Sequence, residues 1–367
     1  MLFQWYLFVF LIILYVFAKA ANQQYKVYAA GEYEVRYKRF TALVIVAVLT
    51  YVAANRHENF IDTRSYIVNY MNSTFSWDGA LQTLQGDGKD KVFYITTGLL
   101  RKLFGEHYRV YLGTIAGFCL LCVFRTYRKH SCNLFMTTFL FLASGEYVMW
   151  THNGMRQFIA VSMIFAATDL LLKKKYIPYI LVVLIASTFH GSALIALPVI
   201  LIVQGRAWNF KAIIMMLAIL ALTSSTNLLD QLLVGVMENS QYSNDVDAVM
   251  STGGTSTFRV LVFCIPPLMA MLFRRQITQL NVPLINLAVN MSVVSMGVYI
   301  ISMFTSGIYI ARLPIYFSLF NYILLPWMIE RFFEKNSAKL VYLMVIACYM
   351  GYYYYQMHVV WGAVTAL

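Results

Sequence analysis

Long apolar runs, separated by short clusters of Lys and Arg, dominate this chain and leave few folds open to it. Residues 7–17, 212–222 and 340–350 contain no charged side chain. Such runs suit hydrocarbon, where a helix satisfies its own backbone and its side chains need no water. Hydrophobic residues make up 60% of the 367 positions and charged residues 12%, too few charges to cover a soluble fold of this length. The expected fold class is all-α, a polytopic integral membrane helical bundle of about 11–12 segments. These fall near 2–18, 40–54, 108–124, 133–150, 155–172, 176–189, 192–203, 212–229, 258–273, 283–304, 309–329 and 340–357. No Lys or Arg precedes Lys19, so the first run is expected to be a span rather than a cleaved leader. With no internal repeat and no linker, residues 1–367 read as a single transmembrane domain.

The formal net charge of +12 would suggest nucleic acid if it were diffuse. It is instead concentrated between the apolar runs: five Lys and Arg in 19–39, three in 125–129, three in 173–175, the pair Arg274 and Arg275, and Arg331, Lys335 and Lys339. Cytoplasmic loops carry such an excess, and an outside N-terminus places every cluster on the cytoplasmic side. The bilayer is therefore the expected partner, and nucleic acid is not. The same orientation puts two loops outside. Residues 230–257 carry Asp230, Glu238, Asp245 and Asp247 and no basic residue. Residues 55–107 include an amphipathic stretch, 92–104, too short to cross and suited to lie in the interface.

The stretch 176–203, about 28 residues, is too long for one upright helix and too short for two full crossings. One crossing would reverse the sidedness of Arg274 and Arg275, whereas a hairpin of two short helices preserves it. Its turn is Phe189-His190-Gly191-Ser192, about 21 Å along the first helix at 1.5 Å per residue. A helix broken at membrane depth must be buried in protein or line a wet cavity, which places His190 at a cavity open to the outside.

Six arginines run against the positive-inside bias: Arg56, Arg64, Arg109, Arg156, Arg259 and Arg312. Arg109, Arg156, Arg259 and Arg312 are expected in the first turn of helices entering from outside, where the helix dipole disfavours a cation. A bound anion would reverse that penalty, held jointly by free N–H groups and guanidinium. Snorkelling to headgroup phosphates is the plainer use of a terminal Arg. Asn153 reads as an N-cap for the helix carrying Arg156 and Gln157. Pro314 marks a helix start just after Arg312.

Other signals are weaker. The five cysteines suggest no disulfide framework, since Cys119, Cys122, Cys264 and Cys348 fall in apolar spans. Asp245-Val246-Asp247 reads as a solvated loop feature, and no His, Cys and carboxylate set has zinc spacing. No metal or cofactor is expected. Tyr352–Tyr355 read as an aromatic belt.

Three motifs carry a family resemblance: Arg56-(x5)-Asp62-(x3)-Tyr66, then Asn153-Gly154-Met155-Arg156-Gln157, then Phe189-His190-Gly191-Ser192-Ala193. With Arg312-(x3)-Tyr316 they resemble, in order, the motif series of EpsG-like, Wzy-type exopolysaccharide polymerases. The chain departs from that series at His57–Ile61, where a glycine-containing stretch is usual. The resemblance implies a GT-C-like glycosyltransferase in a bacterial cytoplasmic membrane, with its active site facing outward. It would join polyprenyl-diphosphate-linked oligosaccharides, one as donor and one as acceptor, alongside flippase and chain-length regulator proteins. Charge grows on the departing diphosphate, and positioned guanidinium groups stabilise it, which assigns Arg156, Arg312, Arg56 and Arg259 to diphosphate binding. The acceptor hydroxyl needs a base, for which Asp62 and His190 both qualify. Asn153, Gln157, Tyr66, Tyr316 and Glu146 would position substrate, and Glu146 and His152 are weaker candidates for the base. A lipid-linked glycan transporter, or a membrane O-acyltransferase using His190, would use a similar set of ionisable residues.

Overall fold

The computed structural model describes residues 2–29, 31–224, 253–307 and 309–362, together with 231 and 234. Asp230, Glu238, Asp245 and Asp247 of the expected acidic loop lie outside the described residues. Apart from one β-hairpin, the described elements are helices, as expected of an all-α membrane protein. Tyr108–His130, Met155–Leu172 and Pro283–Met303 are long and apolar enough to cross a bilayer. Two bent pairs, Thr257–Leu272 with Arg274–Leu280 and Ile310–Ser318 with Asn321–Phe332, raise the number among the described residues to five if each is one span. Among the described residues, six further apolar helices have 10–17 residues, short of the roughly 20 that a straight crossing needs. The segments read from the sequence are therefore of two kinds, long and short, and the short kind extends beyond the expected hairpin of 176–203.

The chain divides into two compact units, residues 1–194 with 342–367, and residues 195–341. The boundary near 194 falls within an apolar stretch and the one near 341 at the start of the apolar run 340–350, and neither carries a linker, which is why the sequence reads as one domain.

The first unit contains α1 (Leu2–Ala20), α2 (Arg39–Ala54), α3 (Thr63–Asn72), α4 (Trp77–Gln85), α5 (Lys91–Phe104), α6 (Tyr108–His130) and α7 (Leu134–Ala143). After a turn and a π-helix over Met149–Asn153 come α8 (Met155–Ala166) and α9 (Tyr176–Phe189). Helix α6 packs between α2 and α8, and α9 packs on α8 and α5. Gly113 and Gly117 make the α2 contact possible. A Cβ on Gly113 would lie 3.2 Å from the Ala54 Cβ, and one on Gly117 would lie 3.4 Å from Thr50 Cγ2. This glycine pair, four residues apart, lets two membrane helices approach closely, a signal passed over in reading the sequence.

The hairpin is Gln24–Ala29 paired antiparallel with Glu32–Tyr37. It occupies the first basic cluster, which the charge pattern presented only as a loop. Arg36 bonds Glu34 and the Lys129 carbonyl, while Lys129 and His130 pair with Asp169. One end of this unit is thus tied together by charge. The stretch 55–107 holds three helices where the sequence reading placed one.

The segment read as 133–150 is interrupted at Gly145, whose φ of +78° a side chain would oppose. At the C-terminus, Tyr352 and Tyr353 are buried, with Tyr353 edge-on to Trp5 and Phe8 at 5.1 and 5.2 Å. They are packing residues rather than belt residues, because α1 lies against them; Tyr354 is exposed.

The second unit is organised on α13 (Pro283–Met303), against which α10 (Ala196–Val203), α11 (Phe210–Thr223), α12 (Thr257–Leu272) and α14 (Asn321–Phe332) pack. Two buried asparagines of α13 hold the chain between α10 and α11. Asn286 Oδ1 accepts from the Ala207 N–H at 3.1 Å, and Asn290 Oδ1 accepts from the Trp208 N–H at 2.9 Å. Asn290 also donates to the Val203 and Arg206 carbonyls. Buried non-helical backbone is tolerated when partners like these satisfy it.

One local strain coincides with the departure from the family motif. Ile61, directly before Asp62, has φ of +46°, a genuine outlier for a β-branched residue. Relieving it is worth about 1 kcal/mol. Ile61→Asn or Ile61→Gly should raise the thermal unfolding midpoint in detergent, whereas Ile61→Val should not. Equal midpoints for all three would show that the turn carries no such strain.

Candidate active site

The end of the first unit away from the Lys129–Asp169 cluster gathers most of the motif residues. Arg56 leaves α2 by two residues and is almost fully buried. Its Nε donates to Thr63 Oγ1 at 3.0 Å, and its Nη1 donates to the Ala53 and Thr151 carbonyls at 3.0 and 3.1 Å. Nη2 lies 2.8 Å from Met155 Sδ. Burial pulls the guanidinium down to about 10, so it stays charged at neutral pH. Expected to hold diphosphate, Arg56 is instead surrounded by protein partners. It braces the π-helix Met149–Asn153 against the end of α2. Such π-turns recur at functional sites because they displace neighbouring side chains from regular helical positions.

His152 is buried within that turn, with Nδ1 2.7 Å from Thr151 Oγ1 and its ring edge-on to Phe60 and Tyr147. Burial, reinforced by Arg56, holds it well below the ordinary histidine range, so it is neutral. Asn153 is not the N-cap that its sequence position suggests. It closes the π-helix, Gly154 caps α8, and a Cβ at Gly154 would lie 2.5 Å from the Trp150 ring. The Asn153 carbonyl accepts from the Tyr66 hydroxyl at 2.8 Å, joining two expected positioning residues. Its side-chain Oδ1 is buried with no hydrogen-bond partner among the described residues. Gln157 and Glu146 are also buried, whereas Asp62 is exposed at the start of α3.

The centre of the site is a residue that sequence reading missed. Asp90 precedes α5 in a left-handed conformation, φ +53° and ψ +37°, and its side chain is 4% exposed. It makes no capping bond to α5. Its carboxylate instead accepts from Arg156 Nη1 at 2.9 Å and lies 3.2 Å from His190 Nδ1 through both oxygens. One carboxylate thus joins the α8 arginine to the histidine that ends α9. Arg156 also reaches the Tyr94 hydroxyl at 3.3 Å and remains about one-third exposed. His190 is in extended backbone where α9 stops, followed by the 3-10 turn Gly191–Ile195 and then α10. In the sequence, Asp90 precedes an amphipathic run, the ordinary signature of a helix cap, and that signature points away from a site.

The arrangement suits proton transfer beside an anion. If Nδ1–H donates to Asp90, His190 presents Nε2 as an acceptor, the carboxylate-backed imidazole that recurs in acyl and group transfer. Arg156 supplies positive charge one hydrogen bond away. Among the described residues, no group of three His, Cys, Asp or Glu lies close enough to hold a metal ion.

In the second unit, Arg259 occupies the first turn of α12, whose cap is Ser256, and its guanidinium lies 5.6 Å from the Tyr299 ring centre. Arg312 ends the 3-10 turn Ile310–Arg312, just before the helical turn Ile315–Ser318 that Pro314 caps. Tyr316 is buried there.

A helical membrane protein with an Arg–Asp–His cluster at one end of a bundle defines the class. The chain matches the family model of the EpsG family over residues 39–363 and belongs to that family, which comprises Wzy-like exopolysaccharide polymerases. No curated protein and no solved structure matches it significantly. Membership gives the chain a polymerase, glycosyltransferase-type activity in the membrane, where such an enzyme acts on lipid-linked oligosaccharide.

Proposed function

We propose that the protein extends an exopolysaccharide by transferring a glycan from a polyprenyl diphosphate to a sugar hydroxyl of a second lipid-linked repeat unit, at the outer face of a bacterial cytoplasmic membrane. The observation that carries this reading is the junction at Asp90, where one buried carboxylate meets both Arg156 and His190. His190 Nε2 accepts the hydroxyl proton as the oxygen attacks the anomeric carbon. The anomeric carbon–oxygen bond to the diphosphate then breaks, and the electron pair leaves with the lipid diphosphate. Arg156 stabilises the charge that develops there, an interaction stronger in the transition state than in the substrate. Asp90 fixes the imidazole tautomer and stabilises the imidazolium that forms.

The other motif residues take supporting parts. Arg56 positions the π-helix and, through it, the start of α8. Asn153 Oδ1 offers an acceptor to a sugar hydroxyl, and Tyr66 holds the Asn153 backbone in place. Arg312 and Arg259 retain the proposed diphosphate role, with Tyr316, Gln157 and Glu146 as substrate-positioning residues. His190 is the base of choice over Asp62, because a carboxylate stands behind it in the required geometry.

The reaction releases one polyprenyl diphosphate for each glycosidic bond made. Purified protein supplied with lipid-linked repeat units should show that one-to-one yield, unchanged by EDTA. A transporter would move the substrate and release no lipid diphosphate. A yield that requires added Mg²⁺ or Mn²⁺ would contradict the metal-free mechanism.

A further inference from the structure

A second basic cluster lies at the opposite end of the first unit. Arg39 opens α2, and Arg125 and Arg128 lie near the end of α6, which packs against it. All three line a groove of about 410 Å3 between the two helices. Its remaining walls are apolar, with Ala42, Val46 and Phe124 buried and Leu43 and Leu121 about half exposed. No carboxylate lines the groove, and none of the three guanidinium groups forms an ion pair among the described residues. The polar contact seen for Arg128 is a long one, 3.5 Å to the Tyr25 hydroxyl. Nearby carboxylates are engaged elsewhere: Glu34 with Arg36, and Asp169 with Lys129 and His130.

Positive inside bias explains why arginines occur in these loops, but not why three line one groove without counter-charge. Like charges so placed repel unless an anion joins them. Guanidinium forks match phosphate oxygens in pairs, more specifically than an ammonium would. The volume is in the range of small-molecule sites, about 300–1,000 Å3. Its exposed leucines face outward from helices read as membrane-spanning, so the apolar part opens toward lipid rather than water. Basic pockets between membrane helices with this composition hold anionic lipid headgroups. Helix α6, of 23 residues, is about 34 Å long at 1.5 Å per residue, so this groove lies far from the Asp90 end.

We infer that the groove between α2 and α6 binds an anionic phospholipid, with the headgroup phosphate among Arg39, Arg125 and Arg128 and an acyl chain along Val46 and Leu121. This site is independent of the polymerase reading and does not require turnover to be observed. Binding of lipid at the α2–α6 seam would brace the helix pair that the glycine contact joins.

The test uses the purified full-length protein in neutral phosphatidylcholine nanodiscs, titrated with phosphatidylglycerol. Thermal unfolding and native mass spectrometry read stabilisation and retained lipid. Phosphatidylglycerol should raise the unfolding midpoint and remain bound, with affinity about tenfold or more weaker in Arg39→Gln/Arg125→Gln/Arg128→Gln. Lys335→Gln/Lys339→Gln, which removes basic charge elsewhere, should respond as the parent protein does. Leu121→Trp keeps every charge but fills the groove, and it should weaken phosphatidylglycerol retention. It also tests the site should the triple variant fold poorly. Undiminished phosphatidylglycerol binding by the triple variant or by Leu121→Trp would overturn the assignment. So would full reproduction of the shift by soluble glycerol phosphate, which would make the site one for a free anion.

Discussion

Arg156→Ala should lower polymerisation by about 10²-fold or more, the usual effect of removing one positioned transition-state charge contact. The loss should appear in kcat rather than in KM alone, because the guanidinium acts where diphosphate charge develops and not chiefly on the bound substrate. Arg156→Lys should rescue poorly. A point charge can keep the Asp90 contact or approach the diphosphate, but it lacks the fork that does both. Arg312→Ala is expected to show a loss of similar size. Arg56→Ala should differ in kind. Its four contacts with Thr63, Ala53, Thr151 and Met155 brace the π-helix, so folding stability should fall together with activity. Full activity in a correctly inserted Arg156→Ala protein would return that arginine to an ordinary interfacial role.

The second large effect concerns the carboxylate behind the base. Asp90→Asn should reduce turnover by about 10²–10⁴-fold, the range for disabling general acid–base catalysis. The pH profile separates this from a merely structural loss. Neutral imidazole is the active form, so wild-type activity should fall on the acid side of its pH profile. The groups facing that imidazole are Asp90 directly, Arg156 through Asp90, and the Tyr94 and Tyr66 hydroxyls beyond them. Removing the Asp90 charge takes away the partner that favours imidazolium. The acid limb should therefore move to lower pH in Asp90→Asn even as the plateau falls. His190→Gln should abolish that limb. Appreciable turnover in His190→Gln with a limb in the carboxylate range would transfer the base role to Asp62.

How far this could be read beforehand differs between fold and site. The helical membrane class was plain, because 7–17, 212–222 and 340–350 admit little else. The positions of Arg109, Arg156 and Arg259 in first helical turns followed from where the apolar runs begin. The break at His190 was legible from length alone, since 176–203 fits neither one crossing nor two. Charge counting could not show the β-hairpin, since Lys26 and Arg36 read as loop residues whether or not their backbones pair. The unit boundary near 194 lies within an apolar stretch, where composition does not change.

The site was half visible. His190 and Arg156 carry motifs, whereas Asp90 sits in a polar loop, 86–90, that looks solvated. Only the fold brings that loop against α8 and α9, across 66 and 100 residues of chain. The partners of Arg56 were hidden for a related reason. An arginine near a membrane surface resembles a phosphate ligand until its own hydrogen bonds are seen. Asn153 looked like a cap because sequence cannot distinguish the end of a π-turn from the start of an α-helix.

The most direct test places purified protein in proteoliposomes with lipid-linked repeat units and resolves the products by length. The account predicts a ladder of glycans longer than one repeat with the wild-type chain. That ladder should collapse to the input unit in Arg156→Ala, Asp90→Asn and His190→Gln. A wild-type protein that moves the lipid-linked unit across the bilayer without lengthening it, or a ladder that survives all three substitutions, would contradict it.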